Sequence, residues 1–260
     1  MDKQILTLAV DIGNTNTHAG LIDCSNLACL AIDVFPTRDI EDLLVKSLLK
    51  VAQTQDSQSL PVMLCSVVEH AKPAAMRALN ASRFLSIKWL EQYPAFPVSV
   101  IYKNPERLGS DRLANCLYGF AAYPGKNQIL IDAGTAITVD FLKEGNQFCG
   151  GVILPGVSTQ LKSLHNNTSA LPQVSLPLGD IEFPATSTEQ CMASGVLFGV
   201  AGALTHIVDK YKTMFGSDGI VLATGGSWQA IEPFVKFDLQ HVPMLTLIGT
   251  ALFINYSKRN

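Results

Sequence analysis

The chain has 260 residues, a formal net charge of −3, and 48% hydrophobic against 16% charged residues. This is a globular composition, long enough for one large domain or two moderate ones, and it excludes a disordered chain. With no basic block beyond Lys258-Arg259, it also excludes nucleic acid as an electrostatically recruited partner.

Met1-Asp2-Lys3-Gln4 leads straight into a strand with no apolar leader, and no apolar run reads as long enough to span a membrane. The strand, Ile5 to Val10, delivers Asp11-Ile12-Gly13-Asn14-Thr15-Asn16-Thr17, and a second strand, His18 to Ile22, follows. Strand, tight turn, strand is a β-hairpin, and its Gly13 lets backbone amides approach an anion closely. An Asp at the end of a buried strand needs a partner, and Mg2+ on a nucleotide phosphate is one. His18, beside the turn, reads as a hydrogen-bonded structural histidine.

Leu27 to Phe35 gives a third strand, and Ile40 to Ala52 repeats apolar residues at helical spacing behind a Thr37 or Asp39 cap. Val62 to Val68 has the length of a buried strand, Pro73 to Asn80 is a short helix, and Phe84 to Leu90 is another strand. A strand meander followed by alternating helices and strands is the order of a ribonuclease-H-like domain. From Ser110 the spacing of Leu113, Leu117 and Phe120 is helical, which puts Asp111 and Arg112 in a first helical turn. Taken alone, Asp111 there reads as a residue stabilising its own helix, with Arg112 solvated.

The hairpin then recurs. Ile129 to Ile131 delivers Asp132-Ala133-Gly134-Thr135-Ala136, and a strand from Val139 to Leu142 follows. One Asp-x-Gly is an ordinary turn; two in matching contexts point to phosphate handling by two related half-domains, 1–120 and 121–260, with a triphosphate between the Gly turns. Gly150 to Gly156 suggests either close backbone approach to a ligand or plain loop chemistry. Val157 to Leu164 is a helix, and 165–187 is a long polar connection of the kind that binds ligands. A helix opens at Thr188 and runs to about Tyr211 with Gly195, Gly199 and Gly202 along it, small enough for close packing against a neighbour such as a second subunit. A strand from Ile220 to Ala223 ends in a third Gly turn, Thr224-Gly225-Gly226-Ser227, a candidate adenosine contact. Gln229 to Val235 is helical, Asp238 to Val242 approximates a strand, and Leu245 to Tyr256 closes the chain as a helix. The six cysteines form no C-x-x-C pair, which argues against zinc or a redox dithiol and for reduced thiols in a cytoplasmic protein. Trp89 and Trp228 read as packing residues.

Together, Asp11 to Thr15, Tyr102 to Arg112, Asp132 to Ala136, Gly150 to Gly156, Thr188 to Gly195 and Thr224 to Gly226 resemble the type III pantothenate kinases, in family order and over nearly the whole chain. Glu69 stands where many members have Pro. The resemblance implies an α/β fold of two ribonuclease-H-like domains with mixed β-sheets flanked by helices and a nucleotide cleft between them, the superfold of acetate and sugar kinases, actin and chaperone ATPases. It implies phosphorylation of pantothenate by ATP with Mg2+ and a monovalent cation, K+ or NH4+, in a homodimer. By position, Asp111 would be the general base. The turn Asp11, Ile12, Gly13, Asn14, Thr15, Asn16, Thr17 and His18, together with Thr135, would line the ATP phosphates. Asp11 would hold Mg2+ and Asp132 the monovalent ion. Tyr102, Gly109, Ser110, Asp111, Arg112 and Thr188 would contact pantothenate. No Walker-type lysine is present, so backbone dipoles and cations must offset the phosphate charge. The competing reading is a non-catalytic metabolite or nucleotide sensor on the same fold, and the presence of Asp11, Asp111, Arg112 and Asp132 argues against it.

Overall fold

The computed structural model describes residues 4–53, 59–90, 96–144, 146–176, 181–216 and 218–256; Pro177 of the long connection and Lys258-Arg259 lie outside them. The chain forms two compact units. The first takes in residues 1–125, 145–148 and 244–260, and the second residues 126–144 and 149–243.

In the first unit β1 (Leu6–Ile12), β2 (Asn16–Asp23) and β3 (Ala28–Pro36) form an antiparallel meander. β4 (Val62–Ser66) adds parallel to β1, and β5 (Ile87–Trp89) parallel to β4, giving the order β3-β2-β1-β4-β5. β4 is buried at all five positions, as its unbroken apolar run requires of a central parallel strand. Alternation along β2 assigns the two faces. Ala19 and Leu21 join a core with Leu44 and Leu48 of α1 (Ile40–Ala52) and Ala75 and Leu79 of α2 (Ala71–Asn80). Gly20 between them faces Leu247 of α7 (Leu245–Leu252), so helices cover both sides of the sheet. α1 is also tied to the edge strand, since Asp33 accepts hydrogen bonds from Lys50 Nζ (2.6 Å) and Ser47 Oγ (2.7 Å), which hold its carboxyl below the usual range.

In the second unit β7 (Gln128–Ala133) pairs antiparallel with β8 (Ala136–Lys143) and parallel with β10 (Ile220–Thr224), which in turn pairs with β11 (Gln240–His241). β9 (Gln147–Pro155) starts in the first unit, where Gln147 and Phe148 pair with β6 (Ser99–Val100), and continues beside β8 in the second. The core packs this sheet against α4 (Val157–Asn166), α5 (Thr188–Phe215) and α6 (Trp228–Ile231), with Trp228 fully buried and Phe141 stacked on Phe215 at 4.1 Å. Contrary to the sequence-based expectation, α5 is long and apolar enough, by length and composition alone, to cross a membrane. Half of its most apolar window is buried within the protein, as for a core helix.

Several elements are shorter than their sequence pattern suggests: the strand expected over 62–68 ends at Ser66, that over 238–242 is Gln240–His241, and the helix expected over 245–256 passes into a 3-10 turn at Phe253. The strand expected over 84–90 narrows to Ile87–Trp89 because Ser82 Oγ accepts from the Phe84 amide (3.3 Å) and turns Phe84 into the core. The helix expected over 229–235 stops at Ile231 and passes into a 3-10 turn containing Pro233, which lacks the amide hydrogen a longer helix would use.

Candidate active site

Asp11, next to the last residue of β1, sits between His18 on β2 and Cys65 on β4. Its Oδ1 accepts from the Cys65 thiol at 3.3 Å, and its Oδ2 lies 3.9 Å from His18 Nδ1. Burial raises the carboxyl above its ordinary range, while His18 and the thiol act in the opposite direction. The turn that follows closes through Gly13 N–H to the Asn16 carbonyl (3.1 Å). Thr37 braces it from behind: its amide donates to Thr15 O (3.0 Å), and its hydroxyl donates to Gly13 O (2.6 Å) and lies 3.0 Å from Thr17 Oγ1. Asn14, Thr15 and Asn16 are therefore exposed at a fixed turn, while the side chains of Ile12 and Thr17 are in the core.

The segment from Tyr102 to Arg112 leads into α3 (Ser110–Ala122). Ser110 Oγ accepts from the Ser66 amide and donates to the Ser66 carbonyl, both at 2.9 Å, pinning the start of α3 to the end of β4. Asp111 Oδ1 accepts from the Arg112 amide (2.7 Å) and folds over Gly109, where a Cβ would collide with it. Arg112 is only 6% exposed, and its guanidinium lies over the rings of Tyr102 (5.7 Å) and Phe148 (5.4 Å). The solvated arginine expected from the helix pattern alone is instead buried against two adjoining rings, whose centroids lie 6.1 Å apart. Burial raises the Cys65 thiol well above its usual range, and the charges of both Asp11 and Asp111 push it the same way. The two carboxylates thus share one electrostatic neighbourhood.

In the second unit Asp132 pairs with Thr138 on one side and Thr224 on the other. This turn has three residues between paired positions, Gly134 to Ala136, against four, Gly13 to Asn16, in the first hairpin. Two further glycine segments converge on it. Thr135 O accepts from the Gly156 amide (2.9 Å) and Thr159 Oγ1 (2.6 Å), and Ala133 O accepts from the Ser227 amide (2.9 Å). Gly225 has φ +97°, and a Cβ there would come within 2.5 Å of the Ala133 backbone, so glycine is needed on both counts. Thr135 is exposed, as is Thr188, the first residue of α5 behind its Ser187 cap. The structure thus groups Asp11 with His18, Tyr102 with Arg112, and Asp132 and Thr135 with the Gly156 and Gly225 turns. From sequence Thr37 reads only as a possible helix cap, a role its side chain does not take, and neither Cys65 nor Phe148 stands out, since neither lies in a glycine- or charge-marked motif.

Two mixed sheets, each with an Asp-x-Gly hairpin, define a protein of the sugar kinase and actin-like ATPase fold. Solved structures agree. A Baf family protein from Campylobacter jejuni is 23% identical with a TM-score of 0.61, covering 97% of this chain and 100% of that one. A ROK family glucokinase from Streptomyces griseus is 14% identical with a TM-score of 0.55, over 95% and 98%. The sequence model of the type III pantothenate kinase family matches residues 7–210, and the chain belongs to that family. The type III pantothenate kinase of Frankia alni is 32% identical, covering 95% of this chain and 98% of its own. That of Syntrophus aciditrophicus is 29% identical over 98% and 100%.

Proposed function

We propose that this protein transfers the γ-phosphoryl group of ATP to the primary hydroxyl of pantothenate, giving 4′-phosphopantothenate and ADP, the first step of coenzyme A biosynthesis. The observation that carries this reading is the family match, which spans every motif from Asp11 to Thr188. The sensor reading is not favoured, because the charged residues at both hairpins and at the start of α3 are all in place. The direct test is ATP- and Mg2+-dependent formation of phosphopantothenate by the purified protein. A folded protein that binds ATP and forms no product would return the weight to a sensor.

In this reading Asp111 accepts the hydroxyl proton as the oxygen attacks phosphorus, a task that needs only a positioned acceptor in a loose transition state. Arg112, packed against the adjoining rings of Tyr102 and Phe148, presents its guanidinium to the pantothenate carboxylate or the incoming phosphoryl oxygens. Gly109, Ser110 and Tyr102 complete the pantothenate side with Thr188. Because the Ser110 hydroxyl is spent on Ser66, what Ser110 offers a ligand is its amide at a helix start. The turn from Asp11 to His18 and Thr135 receive the phosphates through backbone and short polar groups.

The donor chemistry fits Mg2+ at Asp11. Among the described residues no three or more His, Cys, Asp or Glu side chains are arranged so that they could hold a metal ion by themselves, and a partly exposed single carboxylate suits an ion that keeps waters and phosphate oxygens as its other ligands. Mg2+ when bound would neutralise charge on the β- and γ-phosphates. Asp132, with the carbonyl-rich turn beside it, suits K+ or NH4+. Replacing K+ by Na+ should depress turnover, and Asp132→Asn should remove that dependence; equal rates in the two salts would take the ion away from Asp132.

The chain is further read as a cytoplasmic homodimer. None of the six cysteines is in a disulfide, which is compatible with a reducing compartment. Gly195, Gly199 and Gly202 lie exposed along α5, and a Cβ on any of them would meet nothing within 4 Å. That open stripe suits a second copy packed closely against the helix. Sedimentation should give a dimer, and a stable, fully active monomer would refute the assignment.

A further inference from the structure

Cys65 is fully buried on β4, yet its sulfur has polar atoms on two sides. On one side is Asp11 Oδ1 at 3.3 Å; on the other is the Thr250 hydroxyl at 3.1 Å. A thiol that merely filled core space would have neither. An ionised carboxylate only accepts, so the thiol hydrogen belongs to Asp11, and the sulfur lone pairs accept from Thr250. The single Thr250 hydrogen is shared with the Thr246 carbonyl, 2.8 Å away one turn earlier in α7. The Thr246 hydroxyl in turn donates to Asn115 Oδ1 at 2.8 Å, on α3. Thr250, Thr246 and Asn115 are all buried.

We propose that Cys65 is a positioning residue for Asp11, itself oriented by a buried hydrogen-bond chain through Thr250 and Thr246 to Asn115 on the helix that carries Asp111. A thiol is a weak donor and rotates easily, so its aim depends on the Thr250 contact. With Oδ1 held on the thiol, Oδ2 is the oxygen left to face a cation or its water. Partners behind a ligating carboxylate commonly set metal affinity by fixing its orientation. The same chain fixes the spacing between the strand bearing Asp11 and the helix bearing Asp111, a spacing also set by the Ser110–Ser66 bonds at the start of α3.

This inference rests on Asp11 as the Mg2+ carboxylate, and the experiment separates the two. The midpoint of Mg2+ dependence of the thermal shift given by saturating ADP is measured for wild type, Cys65→Ala, Cys65→Ser and Thr250→Val, alongside the nucleotide-free melting temperature. Cys65→Ala should raise the Mg2+ midpoint about tenfold, the usual reach of a residue supporting a metal ligand, and Cys65→Ser should restore it to within about twofold. Thr250→Val, which leaves Asp11 and Cys65 in place, should shift the midpoint the same way by about threefold. It decides the matter if Cys65→Ala does not fold. Wild-type midpoints in both Cys65→Ala and Thr250→Val would overturn the proposal while leaving Asp11 as the metal carboxylate. A wild-type protein whose ADP shift ignores Mg2+ would remove that assignment and the proposal with it.

Discussion

Asp111→Asn should lower turnover of pantothenate by about 10²-fold or more, the contribution of a positioned general base. The substitution removes the proton acceptor and its negative charge while keeping the shape of the side chain. An asparagine oxygen can still accept from the Arg112 amide, which Asp111 Oδ1 now does at 2.7 Å, so the start of α3 keeps its shape. Ser110 remains on Ser66, and Arg112 remains against its two rings. The thermal shift given by ATP and Mg2+ should therefore match wild type while the rate collapses. That split distinguishes a base from a residue that only stabilises its helix, whose loss would lower the melting temperature and leave the rate of the folded protein nearly intact. Near-normal turnover in a folded Asp111→Asn variant would remove Asp111 from the role.

Much of the fold was legible because its signals are local. The Asp-x-Gly pair marks both hairpins, the run Val62 to Val68 reads as a buried strand and contains β4, and α1 and α3 start within a residue of where apolar spacing places them. The site was legible where glycine or charge punctuates the sequence. Contacts that depend on tertiary placement were not. Nothing near Phe148 signals that its ring will flank Arg112, because the two meet only through the pairing of β6 with the start of β9. Cys65 looks like any core thiol until β1 and β4 align Asp11 beside it. The hydroxyls of Thr246 and Thr250 sit in an apolar helix far along the chain, and only the return of α7 to the first unit gives them polar partners.

Gly249→Ala should be among the most damaging single-methyl changes in the molecule. α7 is eight residues long and buried at every one of them. At Gly249 it presses directly on α3, where a Cβ would lie 2.6 Å from the Ala114 carbonyl carbon and closer still to its oxygen. The obstruction is backbone, so no rotamer change relieves it and one helix must move. Alanine is intrinsically the better helix former by about 1 kcal/mol, which works in favour of the variant. Overpacking against rigid backbone costs about 3 kcal/mol at its upper range, so the net effect is loss. A net loss of about 2 kcal/mol corresponds to a melting temperature lower by roughly 4 to 8 °C in a chain of this size. Activity should fall further than stability alone explains. α3 would be displaced against the Ser110–Ser66 bonds that set Asp111, and Thr250, one residue from the substitution, would shift on Cys65. Calorimetry with turnover measured well below the transition reads both effects. A wild-type melting temperature and rate in Gly249→Ala would mean that α7 and α3 tolerate a wider separation, and that the end of the chain does not set the position of the base.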